Sequence, residues 1–250
     1  MGNYGIIILV LTLFIKLILL PLTYKSYLST AKMRILKPEL DELKAKYGED
    51  MTQLQQEQMR LYRKAGVSPF GGCLPLLLQM PILIAMFRFF PASIELRHEP
   101  FLWAHDLSTY DSIFTLPFTI PYYGSHVSLF TILMTITTLI STHMNNAISP
   151  QQSEFKYMSY IMPIFFLGFF NNYAAGLSLY YFLFNVLTML QQYLFKIFIN
   201  DKKLHAKIEQ NKKRPESAKK TGGLQKRLED LANKQKEMQK NKAPKPPRRK

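Results

Sequence analysis

The sequence predicts an all-α polytopic membrane protein with five transmembrane helices, a cytoplasmic helical hairpin and a basic C-terminal tail. Three observations predict it. Apolar residues gather in five segments, Tyr4–Tyr24, Leu74–Phe90, Val127–Ala147, Met158–Phe170 and Leu177–Ile199. Charge gathers between the first two segments and after the last. The near-neutral mean hydropathy of -0.05 therefore averages two unlike populations of residues.

A helix crosses a hydrocarbon core of roughly 30 Å with about 20 apolar residues, and three of the segments are that long. The second and fourth are shorter and would cross with help from flanking residues or a locally thinned bilayer. The predicted division is 1–24 first span, 25–68 cytoplasmic helical hairpin, 69–91 second span, 92–126 outer interfacial segment and 127–147 third span. It continues with 148–156 short cytoplasmic loop, 157–172 fourth span, 173–176 outer turn, 177–199 fifth span and 200–250 basic tail. The first apolar stretch contains Lys16 and no small-residue cleavage site, so it is expected to stay in place as a span.

Lysine and arginine orient these spans. Outside the apolar segments there are nine in Lys25–Ser68, one in Pro91–His126, one in Ile148–Tyr157 and eighteen in Asn200–Lys250. Basic loops stay cytoplasmic, so the N-terminus is expected outside and the C-terminus inside, and every loop agrees.

Between the first two spans, Leu28, Ala31, Ile35, Leu36, Leu40, Leu43 and Tyr47 recur at helical spacing, with Pro38 permitting a restart. Met51, Leu54, Gln58, Leu61, Tyr62 and Ala65 form a second stripe after the Tyr47–Asp50 break, which predicts an antiparallel helical pair. The segment Phe101–Ser125, rich in Trp, Tyr and Pro, reads as chain lying at a membrane interface. In the third span Thr131, Thr135, Thr138 and Thr142 fall at i, i+4, i+7 and i+11 and draw a hydroxyl stripe. Two readings stay open for it: bonds to its own helix backbone, or a groove wall or helix contact. Asn171–Gly176 is a tight polar turn that makes a hairpin of the last two spans. The tail has eighteen basic against six acidic residues and too few apolar ones for a core, with a short helix expected over Leu224–Gln239 and a disordered basic run over Pro244–Lys250.

Several function classes lack candidate residues. There is no Gly-rich phosphate loop, no metal-ligand histidine spacing and no acidic pair within a span, so no catalytic residue, metal or cofactor is assigned. Cys73 is the sole cysteine, which rules out an intramolecular disulfide. Lys16 is the exception that bears on function. An ionised side chain near a span centre costs about 2.5–3.5 kcal/mol on insertion scales and needs compensation. Lys16 lies about 12 Å of helix rise from Tyr24, too far for its stem to recover fully. No acidic residue in the other spans can pair with it, which favours water in a cavity opened toward the cytoplasm.

Several runs together resemble the core of the YidC family, which includes the mitochondrial and chloroplast oxidase-assembly relatives. They are Pro21-Leu22-Thr23, Ala31-Lys32-Met33 through Leu36-Lys37-Pro38, Gly71-Gly72-Cys73-Leu74-Pro75, Gln79-Met80-Pro81-Ile82, Glu95-Leu96-Arg97 and Asp106-Leu107-Ser108. The last is Gly176 through Leu179-Tyr180-Tyr181, with Asn185 and Gln191-Gln192. The resemblance implies a nucleotide-independent membrane protein insertase of the bacterial inner membrane, with a hydrophilic groove open to cytoplasm and lipid. Lys16 occupies the place of the family's groove arginine, a departure because lysine is a point charge without the planar fork. Thr12, Tyr180 and Tyr181 match positions where clients contact family members; for the tyrosines, interhelical packing is the rival reading. Gram-negative members carry a further first span and a large outer domain, which these 250 residues do not contain. Expected partners are membrane protein clients, a translating ribosome or anionic lipid through the tail, and, from the family, the Sec translocon and a targeting receptor. The competing reading is a small-solute transporter or channel with Lys16 as an anion site, which requires a polar path reaching both faces.

Overall fold

The computed structural model describes residues 3–48, 50–68, 71, 74–148 and 153–213. The helix expected over Leu224–Gln239, the terminal basic run and Cys73 lie outside the described residues. The elements are α1 (Tyr4–Ile35), α2 (Lys37–Tyr47), α3 (Met51–Ala65), α4 (Leu74–Ala92), β1 (Phe114–Ile120), β2 (Gly124–Val127), α5 (Leu129–Ile148), α6 (Ser153–Asn171), α7 (Ala175–Phe198) and α8 (Asp201–Lys213).

Helix α1 begins at Asn3, whose side chain accepts from the N–H groups of Gly5 and Ile6 at 3.1 and 3.3 Å. Those are two of the four donors that a helix start leaves open. The helix does not stop at residue 24; it runs 32 residues to Ile35, a length of about 48 Å. Residues 25–35 contain no helix breaker, and a change from apolar to charged surroundings does not by itself end a helix. The break comes at Leu36, where Pro38 enters the first turn of α2.

The faces of α1 invert the rule for soluble proteins. Ile6, Ile7, Val10, Phe14, Leu17 and Ile18 are exposed, while Gly5, Ile8, Thr12 and Lys16, spaced three or four apart, are buried. An apolar coat around a partly polar interior is stable in lipid and costly in water. Among the described residues, α1 is the single helix long and apolar enough by itself to cross a membrane. α7 meets that test jointly with α8, with a 74° bend between them, and Leu77–Ala92 and Tyr157–Asn171 are shorter apolar helices.

Helix α7 is central, packing on α1, α4 and α5, while α5 also packs on α6. The main core lies toward the β-hairpin end and includes Phe90, Leu107, Phe130, Leu177 and Tyr180. There the start of α7 is closed by the segment between α4 and β1, with Ala175 N and Gly176 N donating to the carbonyls of Thr109 and Leu107 at 2.6 and 2.9 Å. Gly176 must be glycine, since a Cβ would sit 2.8 Å from the Phe90 ring and 3.0 Å from the Leu107 carbonyl.

Two elements correct the sequence reading. The chain is mostly helical but not all-α, because β1 and β2 form an antiparallel hairpin within the segment read as irregular interfacial chain. Phe114, Leu116, Phe118 and Ile120 alternate with Thr115, Pro117 and Thr119, a period of two that aromatic and proline content obscured. The start of the tail, expected to join no core, forms α8. Its Ile208 packs with Met33, Leu36, Leu40, Ala65 and Val67 in a second core that unites α8 with α2 and α3, and Leu204 is buried as well. Leu204 and Ile208 are one turn apart, so two apolar residues suffice when the α2–α3 pair supplies the other wall.

Polar contacts fasten α8. Lys212 Nζ donates to Glu39 Oε1 at 2.5 Å and to Glu209 Oε1 at 3.0 Å, and Arg34 Nη2 lies 3.0 and 2.9 Å from the Asp201 carboxylate oxygens. The hydrogen bond to Lys212 holds the Glu209 carboxyl below its ordinary value. Partial burial pushes the Lys212 ammonium down, but its bonds to Glu39 and Glu209 outweigh that and leave it above its ordinary value. The Glu209 contribution is therefore full above about pH 4.3 and lost as pH falls through its lower folded value. The Lys212 contribution is full below about pH 10.4 and lost as pH rises through its higher folded value. Amide exchange of residues 201–213, corrected for intrinsic rates, should lose protection below about pH 4, and Glu39→Gln should lose part of it at neutral pH. Unchanged protection in Glu39→Gln would show that the apolar contacts alone hold the helix.

Candidate functional site

Lys16 sits on the buried face of α1 with 7% of its surface exposed. Its Nζ donates to Thr188 Oγ1 on α7 at 2.5 Å and lies 3.4 Å from the centroid of the Phe184 ring. Thr188 donates its own proton to the Phe184 carbonyl at 2.6 Å, so its oxygen is left as an acceptor aimed at the ammonium. The ring face adds a cation–π attraction of about 0.5–2 kcal/mol. An ammonium has three N–H donors, and these two contacts leave capacity for a water or a ligand oxygen. No carboxylate faces Lys16 among its described contacts, so its charge is compensated by a hydroxyl and a π face.

Thr12, one turn earlier, is fully buried, and its hydroxyl donates to the Ile8 carbonyl at 2.6 Å. Tyr180 is also fully buried, with ring centroids 6.1 Å from Phe90, 5.4 Å from Tyr181 and 6.0 Å from Phe184. Phe184 therefore links the lysine to the tyrosine pair. Both tyrosines pack between helices, as the rival reading held, yet their hydroxyls and Gln79 Nε2 are buried without a hydrogen-bond partner. Gln79 lies beside both hydroxyls, so a small rotation of its amide pairs it with either one. Because a buried polar atom left open costs about 1–3 kcal/mol, these neighbouring groups pair with one another or take up water or a ligand oxygen.

The threonine stripe faces α7. Thr131 Oγ1 lies 3.1 Å from Ser178 Oγ, Asn185 Nδ2 donates to Thr138 Oγ1 at 2.7 Å, and Gln192 Nε2 donates to Asn145 Oδ1 at 2.8 Å. Each partner set advances by seven residues on both helices, so three polar rungs fix the register of a parallel helix pair. Thr135 and Thr138 also donate to carbonyls four residues back, at 2.8 and 2.7 Å. Both readings left open by sequence, backbone bonding and helix contact, are thus realised at these positions. Thr142 is half-buried.

A second polar cluster closes the β-hairpin end. Asp111, 2% exposed, accepts from Trp103 Nε1 at 2.9 Å, from Leu129 N and Phe130 N at 2.9 and 3.1 Å, and from the Ser128 hydroxyl. It thereby caps α5 with a carboxylate at the positive end of the helix dipole. Asn171 ties in α6, accepting from Ser128 N at 2.9 Å and donating to the carbonyls of Tyr123 and His126 at 2.9 and 2.8 Å.

Residues 1–203 match the family described as 60Kd inner membrane protein. The chain belongs to this family. It is 55% identical over 229 residues to the membrane protein insertase YidC of Amoebophilus asiaticus, a match covering 92% of this chain and 38% of that protein. It is 52% identical to the protein of the same name from Parabacteroides distasonis, covering 94% and 38%. A crystal structure of an active YidC insertase with its first transmembrane domain resolved superposes with a TM-score of 0.55 at 28% identity, covering 75% of this chain and 41% of that one. The chain thus spans about two fifths of the length of the relatives it matches.

Sequence alone gives Phe184, Thr188 and Asp111 no role at this site, and Gln79 enters it only within the Gln79–Ile82 run. Phe184 and Thr188 follow Tyr180 at successive turns of α7, a spacing that signals a shared face but not which charge it meets. If the two polar systems carry the loads assigned here, Asp111→Ala should destabilise the protein by about 3 kcal/mol, since it strands buried donors and removes a cap. Asn185→Ala should cost about 0.6–1.7 kcal/mol, the range for hydrogen bonds between helices in membranes. Unfolding in detergent micelles checks the order; an Asp111→Ala loss no greater than that of Asn185→Ala would contradict it.

Proposed function

We propose that this chain forms the working core of a membrane protein insertase in a bacterial inner membrane. The observation that carries the reading is Lys16, a cation held on the inward face of an otherwise lipid-coated helix, in a member of a family whose relatives are named insertases. In this proposal α1, α4, α5, α6 and α7 are the five spans, with the β-hairpin outside and α2, α3 and α8 in the cytoplasm. The divisions at residues 24, 68, 91, 126, 147, 156, 172, 176 and 199 mark the membrane boundaries.

A client's short polar or acidic tail enters a hydrophilic groove and is drawn to Lys16, with Thr12, Tyr180 and Tyr181 lining its path. The open hydroxyls of the tyrosines and Gln79 offer hydrogen bonds partway through the bilayer, so polar client groups are not stranded in hydrocarbon. The client's apolar span passes into lipid, driven by about 25 cal/mol per Å² of buried apolar area. The membrane potential adds about 2.3 kcal/mol per 100 mV for each negative charge moved outward. No nucleotide is required. Thr131, Thr135, Thr138 and Thr142 are assigned to the α5–α7 contact that keeps the groove's back wall in register. The helical hairpin and basic tail meet nascent clients, the translating ribosome, anionic lipid, the Sec translocon or a targeting receptor. The transporter reading is set aside because it needs a polar path to both faces, and the polar groups around Asp111 bond to one another.

Reconstitution into liposomes, scoring protease protection of a single-span client, tests the proposal. Lys16→Arg should retain most insertion and Lys16→Ala should lose several-fold. Equal yields from all three proteins would remove Lys16 from the mechanism.

A further inference from the structure

The β-hairpin turns its apolar side away from the protein. Phe114 and Phe118 are each 60% exposed, Ile120 is 39% exposed and Tyr122, at the tip, is 96% exposed. Phe114 pairs with Val127 and Thr115 with His126, so these neighbours point to opposite sides; beyond the register slip, Phe118 and Ile120, two apart, share a side of the strand from which Thr119 is turned. The hairpin is nonetheless firmly held. Asn172 Nδ2 donates to the Tyr123 carbonyl at 2.8 Å, joining the bonds of Asn171; His126 Nε2 meets the Asn171 carbonyl at 2.8 Å, and the His126 ring stacks on Tyr110 at 3.9 Å. The turn lies against α6 so closely that a Cβ on Gly168 would be 3.2 Å from the Tyr122 carbonyl. Phe165, one turn before Gly168, and Phe169, next to it, are themselves exposed.

Three features identify what covers this face. No Asp, Glu, Lys or Arg occurs between Asp111 and Glu154, so the surface lacks the charges that steer and orient a protein partner. Pro117 has no N–H, and the strand register slips between Thr115 and Ile120, so the edge is blunted against pairing with another strand. The hairpin abuts α6 through β2 and its turn, α6 itself carries exposed phenylalanines, and Phe and Tyr near the tip have the composition of a membrane-interface anchor.

We propose that the hairpin is a lipid-inserted anchor, its exposed Phe114, Phe118 and Ile120 seated in the leaflet beside α6 and Thr119 turned to water. Through Asn171 and His126 the same hairpin holds the Asp111 cluster, so the anchor sets the depth at which that closed end of the bundle sits. The proposal rests on the reading of α6 as a membrane span.

The test is nitroxide labelling of the full chain in phosphatidylethanolamine–phosphatidylglycerol liposomes, with Cys73→Ser as background and labels at Phe118→Cys, Thr119→Cys and Phe165→Cys. Collision with dissolved oxygen reports lipid, and collision with a water-soluble nickel chelate reports water. Position 118 should favour oxygen at least several-fold more than position 119, and position 165 should resemble 118. If 165 reports lipid while 118 and 119 both report water, the anchor fails and the span reading survives. If 165 also reports water, the span reading fails with it. Protection of 118 from both reagents, or dipolar broadening between copies, would mean that protein covers the face and would overturn the proposal.

Discussion

Everything in the bundle is arranged around one ammonium group. Lys16 is held by the oxygen of Thr188 and the face of Phe184, and neither neutralises it. A charge so placed favours an interior that admits water or a polar guest, because the cost of leaving it dry in hydrocarbon is several kcal/mol. The apolar coat of α1 and the polar atoms within are complementary consequences of that requirement. The coat keeps the helix in lipid, and the open hydroxyls of Tyr180 and Tyr181 with the Gln79 amide extend the polar interior beyond the lysine.

Helix α7 uses two adjoining faces differently. Phe184 and Thr188 meet the lysine, and Tyr180, one turn earlier, packs on Phe184. Ser178, Asn185 and Gln192 face α5 and are hydrogen-bonded in heptad register. The second face fixes the register of α7 against α5. Both ends of the bundle are then fastened separately, one by the Asp111 cluster and the hairpin, the other by α8 on the α2–α3 pair. The fastening around α8 joins the α2–α3 pair to the end of α7.

The helical segments were legible because apolar runs and charged loops are separated so cleanly, and Lys16 was legible because a lone cation in such a run violates the surrounding pattern. What escaped were features whose signal is short or distributed. The strand pattern of Phe114–Ile120 spans seven residues and was outweighed by its prolines and aromatics. Helix α8 carries two large apolar residues, Leu204 and Ile208, which mean little until the partner surface of Met33, Leu36 and Leu40 is known. The threonine stripe was visible, but its purpose depended on Ser178 and Asn185, 47 residues away in each case. The lysine's actual partners, Thr188 and Phe184, are ordinary residues of an apolar helix and become meaningful through the packing of α1 on α7.

The account stands on water reaching the inward stripe of α1 from the side of α2 and α3. Thiol labelling measures this directly, with cysteine placed at Lys16 or Phe14 in a Cys73→Ser chain and a membrane-impermeant maleimide applied to either face of sealed vesicles. The account predicts modification at position 16 from the α2–α3 face alone and none at position 14. Labelling at position 16 from the hairpin face, or no labelling from either face, would contradict it.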